Sequence, residues 1–123
     1  MSETIENNPG DMDMISIKGR LEEETSSDLE QAIDSLIDTG HYRLIINCEE
    51  LDYISDSGIE VIEKAVKKVR DYGGDIRLVC PDEEMRLALE DEGLAKVLPI
   101  FSCNDDAIKS YLFFYPATPD LST

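Results

Sequence analysis

The chain has 123 residues, room for one domain of ordinary size in which roughly 65% of the unfolded surface is buried on folding. Apolar residues make up 41% and charged residues 32%, a balance that supports a packed core without disulfide or metal staples. Against 11 Lys and Arg stand 28 Asp and Glu, a formal charge of −17 that repels phosphate backbones and anionic lipid, so nucleic-acid and membrane-surface binding are disfavoured.

No apolar run approaches the roughly 18 residues of a membrane span. The opening stretch Met1–Met14 lacks the basic-then-apolar order of a secretion signal. The expectation is a cytoplasmic protein with no membrane insertion. Cys48, Cys80 and Cys103 are odd in number, their spacing fits no paired zinc-ligand pattern, and His41 is the lone histidine. They read as reduced thiols acting as small buried hydrophobes, with no metal and no cofactor expected.

In chain order, Thr4 to Asn7 suits a short strand, Asn8-Pro9-Gly10-Asp11 a turn, and Met12 to Leu21 an alternating strand. Together they predict an opening hairpin. From Ser26, the residues Leu29, Ala32, Ile33, Leu36 and Ile37 fall at helical spacing, with a capping box over Ser27–Glu30 and a stop at Gly40. Tyr42 to Cys48 carries the run Leu44-Ile45-Ile46, which suits a central strand covered on both faces. A turn through Glu49–Asp52 then leads to Tyr53-Ile54.

Ser55-Asp56-Ser57-Gly58 opens a second helix, with Ile59, Ile62, Ala65, Val66 and Val69 on one face and Gly73-Gly74 at its end. Glu60 and Glu63 lie early in it and Lys64, Lys67, Lys68 and Arg70 late, as the helix dipole favours. Asp75 to Cys80 predicts a strand and Glu83 to Asp91 a short helix, with Pro81 at its first position and Gly93 as its stop. Lys96 to Ser102 suits an edge strand, since Pro99 cannot donate to a ladder. Asn104 can cap a last helix through Ala107, Ile108 and Tyr111, and 113–123 reads as a tail in which Phe113, Phe114 and Tyr115 either tuck in or dock a partner. Strands alternating with helices after a hairpin define an α/β domain with a mixed sheet.

The strand-to-helix turn Ser55-Asp56-Ser57-Gly58 is the candidate site. It places hydroxyls beside unpaired backbone N–H groups at the positive end of a helix, which can hold an anion or phosphoryl group. The alternative is a simple capping box over Ser57–Glu60, with Asp56 an ordinary turn residue. The acidic run Glu22-Glu23-Glu24 reads as solvated surface or as a face for a basic partner. No Walker loop, GxSxG elbow or HExxH helix is present, and the expectation is no enzyme.

The run Leu51-Asp52-Tyr53-Ile54-Ser55-Asp56-Ser57-Gly58-Ile59, after Leu44-Ile45-Ile46-Asn47 and with Lys18-Gly19-Arg20-Leu21 ahead of the first helix, resembles the STAS family of sulfate-transporter and anti-sigma-factor-antagonist domains. The resemblance spans residues 4 to 112. It implies a single domain over 1–112, a mostly parallel four- or five-stranded sheet, and about four helices packed on one side. It also implies partner switching: binding to an anti-sigma factor that is a serine kinase of the histidine-kinase-like ATPase type, with a serine phosphatase as a further partner. The partner-facing residues would be Tyr53, Ser55, Asp56, Ser57, Gly58, Ile59, Glu60 and Glu63, held from below by Ile54 and Ile59.

Family antagonists usually carry Asp-Ser-Ser-Gly or Asp-Ser-Thr-Gly, with the first serine as phosphoacceptor. Aligned on Gly58, this chain has Asp56 at that acceptor, Ser55 in place of the aspartate and Ser57 at the second hydroxyl. The phosphorylation candidates are therefore Ser57 and, behind it, Ser55; the alternatives are a permanent binder and one locked by its own carboxylate. A different reading within the resemblance is a constitutive accessory subunit of an ABC-type lipid or anion transport assembly. A small enzyme or nucleotide-binding protein using Asp56 and Ser57 has the least support, for want of a base, metal cluster or phosphate loop.

Overall fold

Alternating and helical periodicities resolve, in a computed structural model, into five strands and four α-helices among the described residues. The described backbone comprises residues 3–8 and 12–114, with side chains over 12–112. The elements are β1 (Glu3–Asn8), β2 (Met12–Leu21), α1 (Glu23–Asp38), β3 (Arg43–Ile54), α2 (Asp56–Asp71), β4 (Asp75–Val79), α3 (Glu83–Asp91), β5 (Ile100–Phe101) and α4 (Asn104–Phe114). The sheet runs β1-β2-β3-β4-β5, with β1 antiparallel to β2 and the other pairs parallel. This is the mixed α/β architecture, with the hairpin at one edge; residues 9–11 of its expected turn lie outside the described residues.

The sheet is covered on both faces, which corrects the expectation of helices on one side. Alternation sends Ile15, Ile17, Leu44, Ile46, Ile76 and Leu78 toward α1, α2 and α3, where Leu29, Ile33, Ile62, Val66 and Leu89 complete the main core. The opposite residues Met12, Met14, Ile45 and Val79 meet Ala107 and Tyr111 of α4. The continuous run Leu44-Ile45-Ile46 is fully buried because each face has its own cover.

Polar bonds hold α4 in place. The Tyr111 hydroxyl lies 2.8 Å from the Leu44 carbonyl and 2.6 Å from that of Asp75, both of which can accept its proton. Buried Arg77 stacks over the Tyr111 ring, donates to Ser110 at 2.8 Å and pairs with Asp75 at 2.6 Å. His41 turns its Nδ1 to the buried Asp13 carboxylate, tying the end of α1 to β2.

Several boundaries move for local reasons. α1 begins at Glu23 rather than at Ser26, because Thr25 Oγ1 accepts from the Glu22 N–H at 2.7 Å and donates to the Arg20 carbonyl at 2.8 Å. Gly40, at φ 85°, then supplies the left-handed turn that ends it. Glu49–Asp52 is strand rather than turn: β2 continues alongside it to Leu21, with register shifts between Ser16 and Lys18 and between Gly19 and Arg20. Pro81 precedes the α3 cap residue Asp82 instead of opening the helix.

The edge strand shrinks to Ile100–Phe101 because Leu94–Lys96 coils into a 3₁₀ turn and the Val97 carbonyl accepts from Arg70. Cys103 is exposed, unlike Cys48 and Cys80. Most of the expected tail lies outside the described residues, and α4 runs through Phe114.

Candidate functional site

The C-terminal ends of β2 and β3 position the site. Leu21 pairs with Ile54, and the next N–H along, that of Ser55, donates to the Leu21 carbonyl at 2.9 Å. The sheet hydrogen bonding thus runs up to the first turn of α2. Ser55 has extended backbone, φ −93° and ψ 172°, and is the N-cap: its Oγ accepts from the Gly58 N–H at 3.3 Å and its carbonyl from the Ile59 N–H at 3.1 Å. The cap is therefore Ser55, and the capping box considered over Ser57–Glu60 does not form.

Gly58 is needed for closeness. A Cβ there would lie 2.8 Å from Leu21 Cδ2 and 2.9 Å from Ile54 Cγ1, so only glycine lets α2 descend onto the strand ends. Ile59 is buried and Ile54 half-buried beneath the helix start, as the sequence pattern suggests.

The two serines differ. Ser55 spends its hydroxyl on the cap, whereas Ser57, half-buried at the second helical position, makes no hydrogen bond to another described side chain or backbone group. Asp56, at the first helical position, and Glu60 are exposed, and Glu63 is half-buried one turn on. Carboxylates at such a start are favoured by the unpaired N–H groups and the dipole. The i,i+4 spacing of Glu60 with Lys64 and of Glu63 with Lys67 gives no ion pair among the described residues; Lys68 instead reaches Asp34 of α1 at 2.7 Å, and that hydrogen bond raises the ammonium above its ordinary value.

Beside the loop, Tyr53 is 41% exposed, and Arg20, its partner across the strands, stacks 4.3 Å from its ring centre. Arg20 Nε also donates to Glu22 at 2.8 Å; that hydrogen bond first, and then the Glu22 charge, push the guanidinium above its ordinary value. Sequence reasoning places Tyr53 here but misses Arg20, because only the β2–β3 register brings the two together. Among the described residues no group of three or more His, Cys, Asp or Glu side chains gathers as metal ligands.

These features define a mixed α/β domain whose sheet ends in a self-capped helix start carrying an exposed carboxylate and a hydroxyl with no partner among the described residues. The family model described as the STAS domain matches residues 4–107, and the chain belongs to that family. BtrV of Bordetella bronchiseptica, named for anti-sigma factor antagonism, is 23% identical over 95 residues, 77% of this chain and 82% of that protein. An anti-sigma factor antagonist from Mycobacterium paratuberculosis superposes with a TM-score of 0.79 at 22% identity, over 89% of this chain and 92% of that one. The phosphorylated form of the Bacillus cell fate determinant SpoIIAA gives 0.68 at 20% identity, over 88% and 97%. The fold is that of anti-sigma factor antagonists, and no described helix is long and apolar enough to cross a membrane.

Proposed function

We propose that this chain is a cytoplasmic, non-enzymatic anti-sigma factor antagonist that works by partner switching. Its ligand is an anti-sigma factor that is also a serine kinase of the histidine-kinase-like ATPase type, with a serine phosphatase opposing the kinase. The contact surface comprises Tyr53, Ser55, Asp56, Ser57, Glu60 and Glu63, with Gly58 and Ile59 of the expected set buried beneath it as its support. The observation that carries the choice of acceptor is the division of labour between the serines: Ser55 is held as the cap, and the Ser57 hydroxyl has no partner among the described residues.

Asp56 brings one negative charge and two acceptor oxygens, against about −1.5 to −2 and three for a phosphate, so it reproduces the phosphorylated state only in part. A phosphate on Ser57 would meet the amides of α2 but crowd Asp56 and Glu60, and like charges there oppose docking. Phosphorylation at Ser57 should weaken partner binding at least about tenfold, a difference of about 1.4 kcal/mol. Titration of the partner with phosphorylated and unmodified protein measures this, and equal affinities overturn the switch.

Recovery of the protein from its native cytoplasm, with mass spectrometry of its companions and of the peptide holding Ser55–Ser57, tests the reading as a whole. A histidine-kinase-like ATPase among the companions supports it. Transport-assembly subunits with unmodified serines would replace it by the constitutive accessory-subunit reading.

A further inference from the structure

Cys48 and Cys80 take no part in the helix-start loop, yet the sheet brings these two nucleophilic side chains together. The β3–β4 register pairs Asn47 with Val79, so Cys48 and Cys80 fall next to each other one step further along. Alternation places Cys48 with Leu44 and Ile46, and Cys80 with Ile76 and Leu78, in the main core on the face covered by α1, α2 and α3. Their exposures are 3% and 0%. Neighbouring strands run about 4.8 Å apart. That lies inside the roughly 4.4–6.8 Å between Cα atoms that a disulfide spans, though short of its preferred value.

The cover over this pair is uneven. Cys48 lies on the central strand β3. Cys80 lies at the exit of β4, under α3, where Arg86 donates to its carbonyl at 3.0 Å and its own thiol donates to the Asp82 carbonyl at 3.6 Å. Of the nine residues of α3, Leu89 alone is buried, so this helix has the weakest apolar anchorage on its face of the sheet. Elements with few buried contacts open most readily, and opening α3 uncovers Cys80 first.

We infer that Cys48 and Cys80 form a reversible disulfide site, reached by a small-molecule disulfide such as oxidised glutathione when α3 opens. Cys80 gives its proton to water, and its sulfur attacks one glutathione sulfur; a Cys80–glutathione bond forms as the glutathione disulfide breaks, releasing one thiolate. Cys48 then gives up its proton and attacks the Cys80 sulfur. The Cys48–Cys80 bond forms, the second glutathione thiolate leaves, and both thiolates take up the released protons. Two protein thiols are oxidised as one glutathione disulfide is reduced to two thiols.

Burial pushes the Cys48 thiol above its ordinary value, with the nearness of Cys80 adding to it. Burial likewise raises Cys80, ahead of the Asp82 charge. Both therefore stay protonated and unreactive while α3 is closed, and the rate follows the opened population.

The test uses the full chain carrying Cys103→Ser, which removes the exposed third thiol. The folded protein is incubated with oxidised glutathione and followed by intact mass and non-reducing peptide mapping. The expected product has lost two hydrogen atoms, joins the Cys48 and Cys80 peptides, and reverts with dithiothreitol. In the same background Cys48→Ser should trap a glutathione adduct on Cys80, while Cys80→Ser should react at least about tenfold more slowly. Leu89→Ala, which loosens α3, should speed disulfide formation at least about tenfold. Two free thiols in the Cys103→Ser protein, or an adduct that Cys48 never resolves, overturns the site. Equal reactivity of the Cys80→Ser variant, or an unchanged rate with Leu89→Ala, overturns the route through α3.

Discussion

Two helices begin at the C-terminal ends of parallel strands, and their first turns look alike on paper. α2 opens with Asp56 and α4 with Asp105 and Asp106, so both place carboxylates at the positive end of a helix. Their polar atoms are spent differently. At α2 the cap is local: Ser55 serves Gly58 through its own side chain, and Asp56 and Ser57 remain outward. At α4 the Asn104 side chain accepts from Asn47 at 2.8 Å, Asn47 also accepts the Glu49 N–H at 2.7 Å, and the Cys103 carbonyl receives the Ala107 N–H. That start is consumed in holding α4 to the sheet. A polar residue at a helix start becomes available for chemistry when something else does the capping, and α2 is where this holds.

The comparison breaks most forcefully at Gly58. Gly58→Val would drive branched carbons into Leu21, which is fully buried, and Ile54, prying α2 off the strand ends. Overpacking of this kind costs about 3 kcal/mol, read as a lower urea midpoint at unchanged slope. Partner affinity should fall with it, because the displaced turn carries Asp56 and Ser57.

Next comes the bond that ties down the other start. Asn47→Ala removes both hydrogen bonds of a side chain whose residue is only 6% exposed, leaving Asn104 without its donor and the Glu49 N–H without its acceptor. The cost is about 1–2 kcal/mol. Hydrogen exchange should quicken in the first turn of α4 and stay unchanged at the start of α2; equal acceleration at both would show that the two starts are coupled rather than independent.

These expectations follow the line between what local chemistry writes and what long-range pairing decides. Ser55-Asp56-Ser57-Gly58 was legible because turn residues, a glycine and the periodic Ile59, Ile62, Ala65, Val66 and Val69 all agree within one short window. The face that α4 covers was not, since Ala107, Ile108 and Tyr111 announce a helix stripe but not which side of the sheet receives it. The length of β3 was hidden for a related reason: Glu49, Glu50 and Asp52 read as turn, and only pairing with Lys18–Arg20 of β2 holds them extended. Glu22 is a poor cap by propensity, so nothing in that window marks the start of α1; what holds it is the Thr25 hydroxyl, which accepts the Glu22 N–H and donates to the Arg20 carbonyl at the end of β2.

The smallest effects separate the two serines. Ser55→Ala deletes the acceptor for the Gly58 N–H, and loss of an N-cap costs about 1 kcal/mol. Ser57→Ala removes a hydroxyl with no partner among the described groups, and should change stability by less than about 0.5 kcal/mol. Function should rank them in the reverse order. Incubated with the kinase proposed as its partner and ATP, Ser55→Ala should still take up phosphate, while Ser57→Ala should take up none and keep its affinity for that partner. The contrast needs both readouts: a Ser57→Ala protein as destabilised as Ser55→Ala would make Ser57 part of the cap, and phosphate uptake surviving in Ser57→Ala but lost in Ser55→Ala would return the acceptor to Ser55.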